Sequence, residues 1–317
     1  MPYRYGRIQK NDVNQQVTEN HFGLIEKSER FYRDQLDSIV DNMEESKGLQ
    51  VICLSGPSSS GKTTTAYTLK KRFIARGRNA RVVSLDHFYL NQAPLRRDGT
   101  PDFETIDALD VPRINQCINE LVEKGHTFIP LFDFHTHSRM AEEKEIVTAG
   151  DDIIIIEGLH GLNPRLTSMT DPSRITKIYV SVRSKFVDGP EETEVFAPKQ
   201  LRLMRRMVRD VATRNTPPEK TIQMWDRVCD GERQYIDPYR DAARFKVDST
   251  MEYEPCIFRG YLEPFIEKMP DMDEMSRTVL TDLWNRLAQF RTLEDTNPIP
   301  GDSVIREFIG PKEDEEL

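Results

Sequence analysis

Residues 56–63 read GPSSSGKT, which satisfies the pattern Gly-x-x-x-x-Gly-Lys-Ser/Thr. An apolar run, VICLS, precedes it, and TTAYTLKKRFIARG follows it. Glycines let consecutive backbone amides turn inward, and a helix that starts where the loop ends adds partial positive charge. Strand, loop and helix together therefore make a cradle for phosphate. Gly56, Ser58, Ser59, Ser60, Gly61, Lys62, Thr63 and Thr64 are the candidate nucleotide-binding residues. Lys62 is placed to reach β- and γ-phosphates, and the Thr63 hydroxyl to ligate magnesium. The rival explanation is a chance glycine-rich turn, which the complete motif in this context disfavours.

The next 200 residues repeat the alternation of apolar run and helix. RVVSLD (81–86), DIIIIEG (152–158), KIYVSV (177–182) and ARFKVDS (243–249) read as further strands. VPRINQCINELVEKG and the basic QLRLMRRMVRDVATRN read as helices, and the helix after the loop ends at Gly77. Unbroken apolar strands between helices predict an α/β fold of the P-loop NTPase kind. Its five-stranded, mainly parallel sheet is covered by helices on both faces. In residues 20–46, Tyr32, Leu36, Ile39, Val40 and Met43 recur at helical spacing. That helix either packs on the main domain or binds a partner. After Ser249, Val279, Leu280, Leu283, Leu287 and Phe290 share one helical face, ahead of an acidic tail, PKEDEEL, read as disordered. The expected division is a helical extension over 1–48, a kinase-like domain over 49–250, and a helical extension with its tail over 251–317.

Composition narrows the partners. A net charge of -9 gives no general attraction to nucleic acid or to an anionic membrane. No stretch approaches the roughly 18 to 20 apolar residues of a membrane helix. The opening MPYRYGRIQKNDVNQQ has no apolar secretory core. Cys53, Cys117, Cys229 and Cys256 form no CxxC, as expected for reduced thiols in the cytoplasm.

A phosphate loop leaves three fates for the phosphate: water, a hydroxyl group, or retention on a bound nucleotide. No NKxD tetrapeptide of the guanine-reading kind occurs, and the strand IIIIEGLHG ends in a single carboxylate, Glu157. Asp86 ends the strand SLD, at the edge where a parallel sheet presents its functional groups. From spacing alone it is either a base that takes a proton from an acceptor hydroxyl or a cap on the following turn.

GPSSSGKTTTA, SLDHFYLN, DGTPDFETIDALD, IPLFDFHTHSR and IIIIEGLHGLNP, in this order, resemble the uridine kinase and phosphoribulokinase family. The resemblance covers about residues 50 to 250. It is nearest to a bacterial nucleoside-kinase branch, which also has stretches like DGERQYIDPY and DSVIREFIG. The resemblance implies that Asp86 is the base toward a ribose 5'-hydroxyl, and that Phe103 and Glu104 hold the ribose. Phe132 and His137 fall in the base-reading segment, with Phe132 where the family usually has tyrosine. His135 and His137 also admit a metal-pair reading, which lacks a third ligand. His160 reads as structural. Glu157 matches a carboxylate near magnesium that acts through water. Arg202, Arg205, Arg206, Arg209 and Arg214 match a lid helix whose arginines close over the phosphates, with Arg202 on the substrate side and Arg205 on the phosphate side. The spacing alone fits a solvated stripe or a nucleic-acid face equally well.

The expected activity is an ATP- and Mg2+-dependent kinase acting on the 5'-hydroxyl of a pyrimidine ribonucleoside, uridine or cytidine. The alternatives are a kinase for a sugar or sugar phosphate, or a nucleotide-binding regulatory protein without turnover. Family members are often dimers or tetramers, so the resemblance implies a homo-oligomer.

Overall fold

Four consecutive isoleucines have no polar face to turn to water, so the segment that carries them is driven to the middle of the molecule. In the computed structural model this segment is the strand Ile153–Glu157, with every residue buried. The structure describes residues 6–311 apart from 45, 47, 49, 97, 134, 135, 137 and 268.

In chain order the chain runs β1 (Arg7–Gln9), α1 (Lys10–Met43), β2 (Gln50–Ser55), α2 (Lys62–Ala75), β3 (Ala80–Ser84), α3 (Val111–Lys124), β4 (His126–Asp133), β5 (Ser138–Val147) and β6 (Ile153–Glu157). It continues as β7 (Ile175–Ser181), β8 (Lys185–Asp188), β9 (Thr193–Phe196), α4 (Pro198–Arg214), α5 (Pro218–Tyr235), β10 (Phe245–Asp248), α6 (Glu254–Leu262), α7 (Glu274–Leu287) and α8 (Arg306–Ile309). The central sheet has the order β10-β7-β2-β6-β3, and all its pairings are parallel. The expected five strands are these five. Strands β4 and β5 form a separate antiparallel hairpin, and β1, β8 and β9 a small sheet beside the helical termini.

Alternation along β2 decides what covers each face. Ile52 and Leu54 join the core shared with α1, α2, α4, α6 and α7. Val51 and Cys53 join a second core with Ile114, Ile118 and Leu121 of α3 and Ile129 and Phe132 of the hairpin. The first core is continuous from Val13 to Ile309, so the segments before and after the sheet share one apolar interior with it.

Helix α1 begins ten residues before the sequence reading placed it. Its first turns, KNDVNQQVTEN, bury only Val13 and Val17, too sparse a pattern to read as amphipathic. It breaks at Asn20 (φ -159, ψ 66), whose Oδ1 accepts from Gly23 N at 3.0 Å and so starts the second half. That half is locked to the sheet. The Gln35 side-chain amide bonds both backbone groups of Asp248, donating to its carbonyl at 3.0 Å and accepting from its N–H at 2.8 Å. It thereby mimics a neighbouring strand at the open edge of β10. Tyr32 shares a 2.7 Å hydrogen bond with the Thr65 hydroxyl of α2. Among the described residues no helix is long and apolar enough to cross a membrane, and all four cysteines are buried free thiols.

Leu36 is fully buried in the shared core. Leu36→Ala should therefore destabilise the whole chain by about 2–5 kcal/mol in one cooperative transition. An unchanged main transition in a urea titration would show that α1 is an appendage.

Candidate active site

The loop between β2 and α2 is shaped by what its backbone must pass. A Cβ on Gly56 would lie 1.9 Å from the Val180 carbonyl of β7, so only glycine fits there. Gly61 closes the loop with φ +85, a conformation that favours glycine. Ser59 also takes a left-handed φ, of 58°, which costs an ordinary residue about 1–2 kcal/mol. Two arginines of α4 hold this strained stretch by its carbonyls. Arg202 donates to Ser58 O at 3.1 Å, and Arg205 to Ser59 O at 3.5 Å.

Each arginine is matched to a buried carboxylate. Arg202 forms a two-pronged pair with Glu232 of α5, at 2.5 and 2.8 Å, and Glu232 also accepts from Ser58 N at 3.0 Å. Arg205 pairs with Glu254 at 2.7 and 3.1 Å and donates to Ser249. Both partners of the Arg205 pair have no solvent exposure. The expectation that Arg202 faces a substrate and Arg205 a phosphate therefore differs from their placement: both are spent on loop backbone and carboxylates. The reading of a solvated stripe fails for the same two side chains. Arg206 lies next along the helix, with Nη1 2.9 Å from Ser58 Oγ, while Arg206, Arg209 and Arg214 gather around Asp210.

Lys62 lies against its own loop, donating to Pro57 O at 3.1 Å. Burial lowers its pKa, opposed by Glu157, Glu307, Asp86 and Glu232. Asp86 sits just past β3. The turn there is capped by Ser84 Oγ, which accepts from Asp86 N at 3.3 Å, so the Asp86 carboxylate is not the cap that spacing left open. Asp86 keeps solvent contact through the cleft mouth, while protein crowds it elsewhere. That crowding raises its pKa, against the pull of Lys62. Burial, and then the Asp86 charge, push Glu157 up to about 7.

Beyond Asp86 the cleft is aromatic. Tyr89 meets Phe103 edge-on at 5.5 Å and Phe132 at 5.7 Å, and its hydroxyl donates to Phe103 O at 3.1 Å. Glu104 lies beside them, and burial raises its pKa to about 7. Arg139 bonds the Tyr89 carbonyl at 3.0 Å and pairs with Asp110 at 3.0 Å, fixing the turn that carries Asp86. Burial holds His160 neutral, with a pKa of about 4, and it packs on Tyr235, in keeping with a structural role. Thus Asp86 acts on Lys62 of the loop and on Tyr89, Glu104 acts on Tyr89 as well, and the Tyr89 ring packs on Phe103 and Phe132. His135 and His137 lie outside the described residues. Sequence reasoning missed Tyr89, Arg139, Glu232 and Glu307 as site residues. Glu232 and Glu307 stand in DGERQYIDPY and DSVIREFIG, stretches read only for their resemblance.

Magnesium is implied by the fold, and the donor set fits it. The Asp86 charge disfavours a second negative charge on Glu157, which a cation between them would relieve, and the Thr63 hydroxyl stands in the first turn of α2. Among the described residues no group of three or more His, Cys, Asp or Glu could hold a metal alone. Mg2+ usually keeps waters and phosphate oxygens as most of its ligands, so such a sparse set suits it.

The phosphate loop between β2 and α2, set in an all-parallel sheet covered by helices, is the fold of a P-loop phosphotransferase. Residues 51–185 match the model of the Phosphoribulokinase / Uridine kinase family. The chain is 29% identical over 182 residues to a uridine kinase of Saccharomyces cerevisiae, covering 56% of this chain and 32% of that one. It is 26% identical over 211 residues to the uridine kinase of Lactobacillus helveticus, covering 65% of this chain and 90% of that protein. Among solved structures it is similar to one described as a possible uridine kinase from Bacillus stearothermophilus, with TM-score 0.47, 18% identity, and coverage of 68% of this chain and 98% of that chain.

Arg205→Ala would leave Glu254 buried and unpaired. It should cost about 3–5 kcal/mol in a denaturant titration, and a loss below about 1 kcal/mol would contradict the assigned pair. Glu104 gives a pH signature. Its folded pKa of about 7 exceeds the ordinary 4.5, so the folded state holds the proton more tightly. The stabilisation is full below about pH 4.5 and is lost as pH rises through about 7. Between pH 5 and 8, Glu104→Gln should lose less stability than the parent, and parallel profiles would show that Glu104 titrates normally.

Proposed function

We propose that the chain transfers the γ-phosphate of ATP, with Mg2+, to the 5'-hydroxyl of a pyrimidine ribonucleoside, uridine or cytidine. The observation that carries this reading is the convergence of Lys62, Asp86 and Glu157 at one sheet edge beside an aromatic cleft. Asp86 orients the acceptor hydroxyl and takes its proton. Lys62 leaves the Pro57 carbonyl and meets the β- and γ-phosphates. The Thr63 hydroxyl and Glu157 hold Mg2+, Glu157 through water. Mg2+ supplies charge neutralisation on the phosphate oxygens. Phe103, partly exposed and backed by the buried Tyr89 and Phe132, offers its ring to the acceptor, and Glu104 accepts from ribose hydroxyls. His137 belongs to the same segment as Phe132 and reads the base edge. Arg202 and Arg205 act as positioning residues of the loop, and Arg206 brings its charge toward the phosphates.

A uridine kinase among the relatives supports the acceptor class.

Lys62→Ala should abolish transfer. Asp86→Asn should lower kcat by about 10²- to 10⁴-fold with little change in ATP affinity. Single-turnover assays with uridine, cytidine and ribulose 5-phosphate, beside calorimetric titration of ATP, test both. An unaltered rate in Asp86→Asn excludes it as base, and preference for the sugar phosphate overturns the nucleoside reading.

A further inference from the structure

The first turn of α2 already holds an anion of the protein's own. The Thr64 hydroxyl donates to Glu307 Oε2 at 2.7 Å, and the Thr64 amide lies 3.4 Å from the same oxygen. First-turn amides have no partner within their helix, which is why such turns take phosphate. Glu307 reaches this turn from 243 residues along the chain.

Glu307 is delivered by a seated segment, not by a drifting side chain. Ser303 donates to the buried Glu29 at 2.5 Å, and Tyr253 donates to the same oxygen at 2.5 Å. Val304 packs on the loop so closely that a Cβ on Gly61 would lie 2.7 Å from it. Phe308 lies under the Arg205 guanidinium, 5.2 Å from its ring centre. Arg306 donates to Thr296 O at 2.7 Å and to Ile299 O at 3.0 Å. These contacts aim the carboxylate at Thr64 whether or not the Thr64 bond is made. Glu307 also stands second among the carboxylates acting on Lys62.

A nucleotide phosphate and the Glu307 carboxylate cannot both take the Thr64 donors, and two anions crowded there repel. We propose that Glu307 is an internal stand-in for a nucleotide phosphate, occupying Thr64 in the unliganded chain and yielding it when nucleotide binds. The proposal rests on the reading of GPSSSGKT as a nucleotide site. Glu307 then weakens ATP and ADP alike. An effect shared by the ground state and the transition state appears in KM and not in kcat.

The test is calorimetric titration of MgADP into the full chain and into Glu307→Gln. Glutamine keeps the shape and an accepting oxygen and removes the charge. The Kd should fall on the order of 10-fold, with a parallel fall in KM for ATP. Glu307→Asp keeps the charge but shortens its reach, so it should tighten ADP to an intermediate degree, and it serves if the glutamine variant fails to fold. Unchanged or weaker ADP binding in the folded variants, with the parent binding normally, overturns the stand-in and leaves the nucleotide site standing. Failure of parent and variants alike to bind MgADP or MgATP, with far-UV circular dichroism intact, removes the nucleotide reading and this proposal with it.

Discussion

Two arginine–carboxylate pairs, Arg202–Glu232 and Arg205–Glu254, set the geometry on which the rest of the cleft depends. A carbonyl that accepts from a fixed guanidinium cannot also swing toward the cleft. With Ser58 O and Ser59 O held on the α4 side, the loop amides are left to face the other way. A buried ion pair adds little net stability, because desolvating two charges offsets their attraction. Its contribution here is to conformation: it keeps Ser59 in a left-handed state that a serine would otherwise leave. The pairs also join α4, α5 and α6 to the loop, so three helices from different parts of the fold converge on two adjacent peptide groups.

The second constraint is an imbalance of charge. Four carboxylates, from β6, the turn after β3, α5 and α8, favour the charged form of Lys62 against burial. Their mutual repulsion is an unfavourable resting state. The cleft relieves it partly by protonation, as at Glu157, and partly by pairing, as at Glu232 with Arg202. A site in this condition gains from any ligand that brings a divalent cation with it. The loop amides attract phosphate, the carboxylates attract metal, and a metal–nucleotide complex satisfies both.

The central sheet was legible because its strands are buried on both faces, so their composition alone marks them. VICLS, IIIIE and KIYVS needed no alternation to be read. Elements with one wet face were harder. Strand β5, SRMAEEKEIV, is exposed along most of its length and carries no strand signature without its partner β4. Helix α5 spaces Ile222, Trp225, Val228 and Cys229 correctly, but charges surround them. At the site, the phosphate loop and Asp86 stood in recognisable local patterns. Glu232 and Glu307 did not, since what matters about each is a contact 174 or 243 residues away. The arginine row on α4 could be placed on one helical face, but which neighbours that face would meet was a tertiary fact. Two of its members turned out to bind the loop's backbone.

The meeting of Glu29 with Ser303, 274 residues apart, has a consequence for how the chain is made. The sheet, α1 and the loop can assemble while residues 299–309 are still being synthesised. During that interval Gly61 lacks Val304, Thr64 lacks Glu307, and the Glu29 carboxylate lacks one of its two hydroxyl donors. Contacts at such separation form slowly, because loop closure must be met before they contribute. The nascent protein therefore passes through a stage with an open phosphate loop and one edge of its core bare.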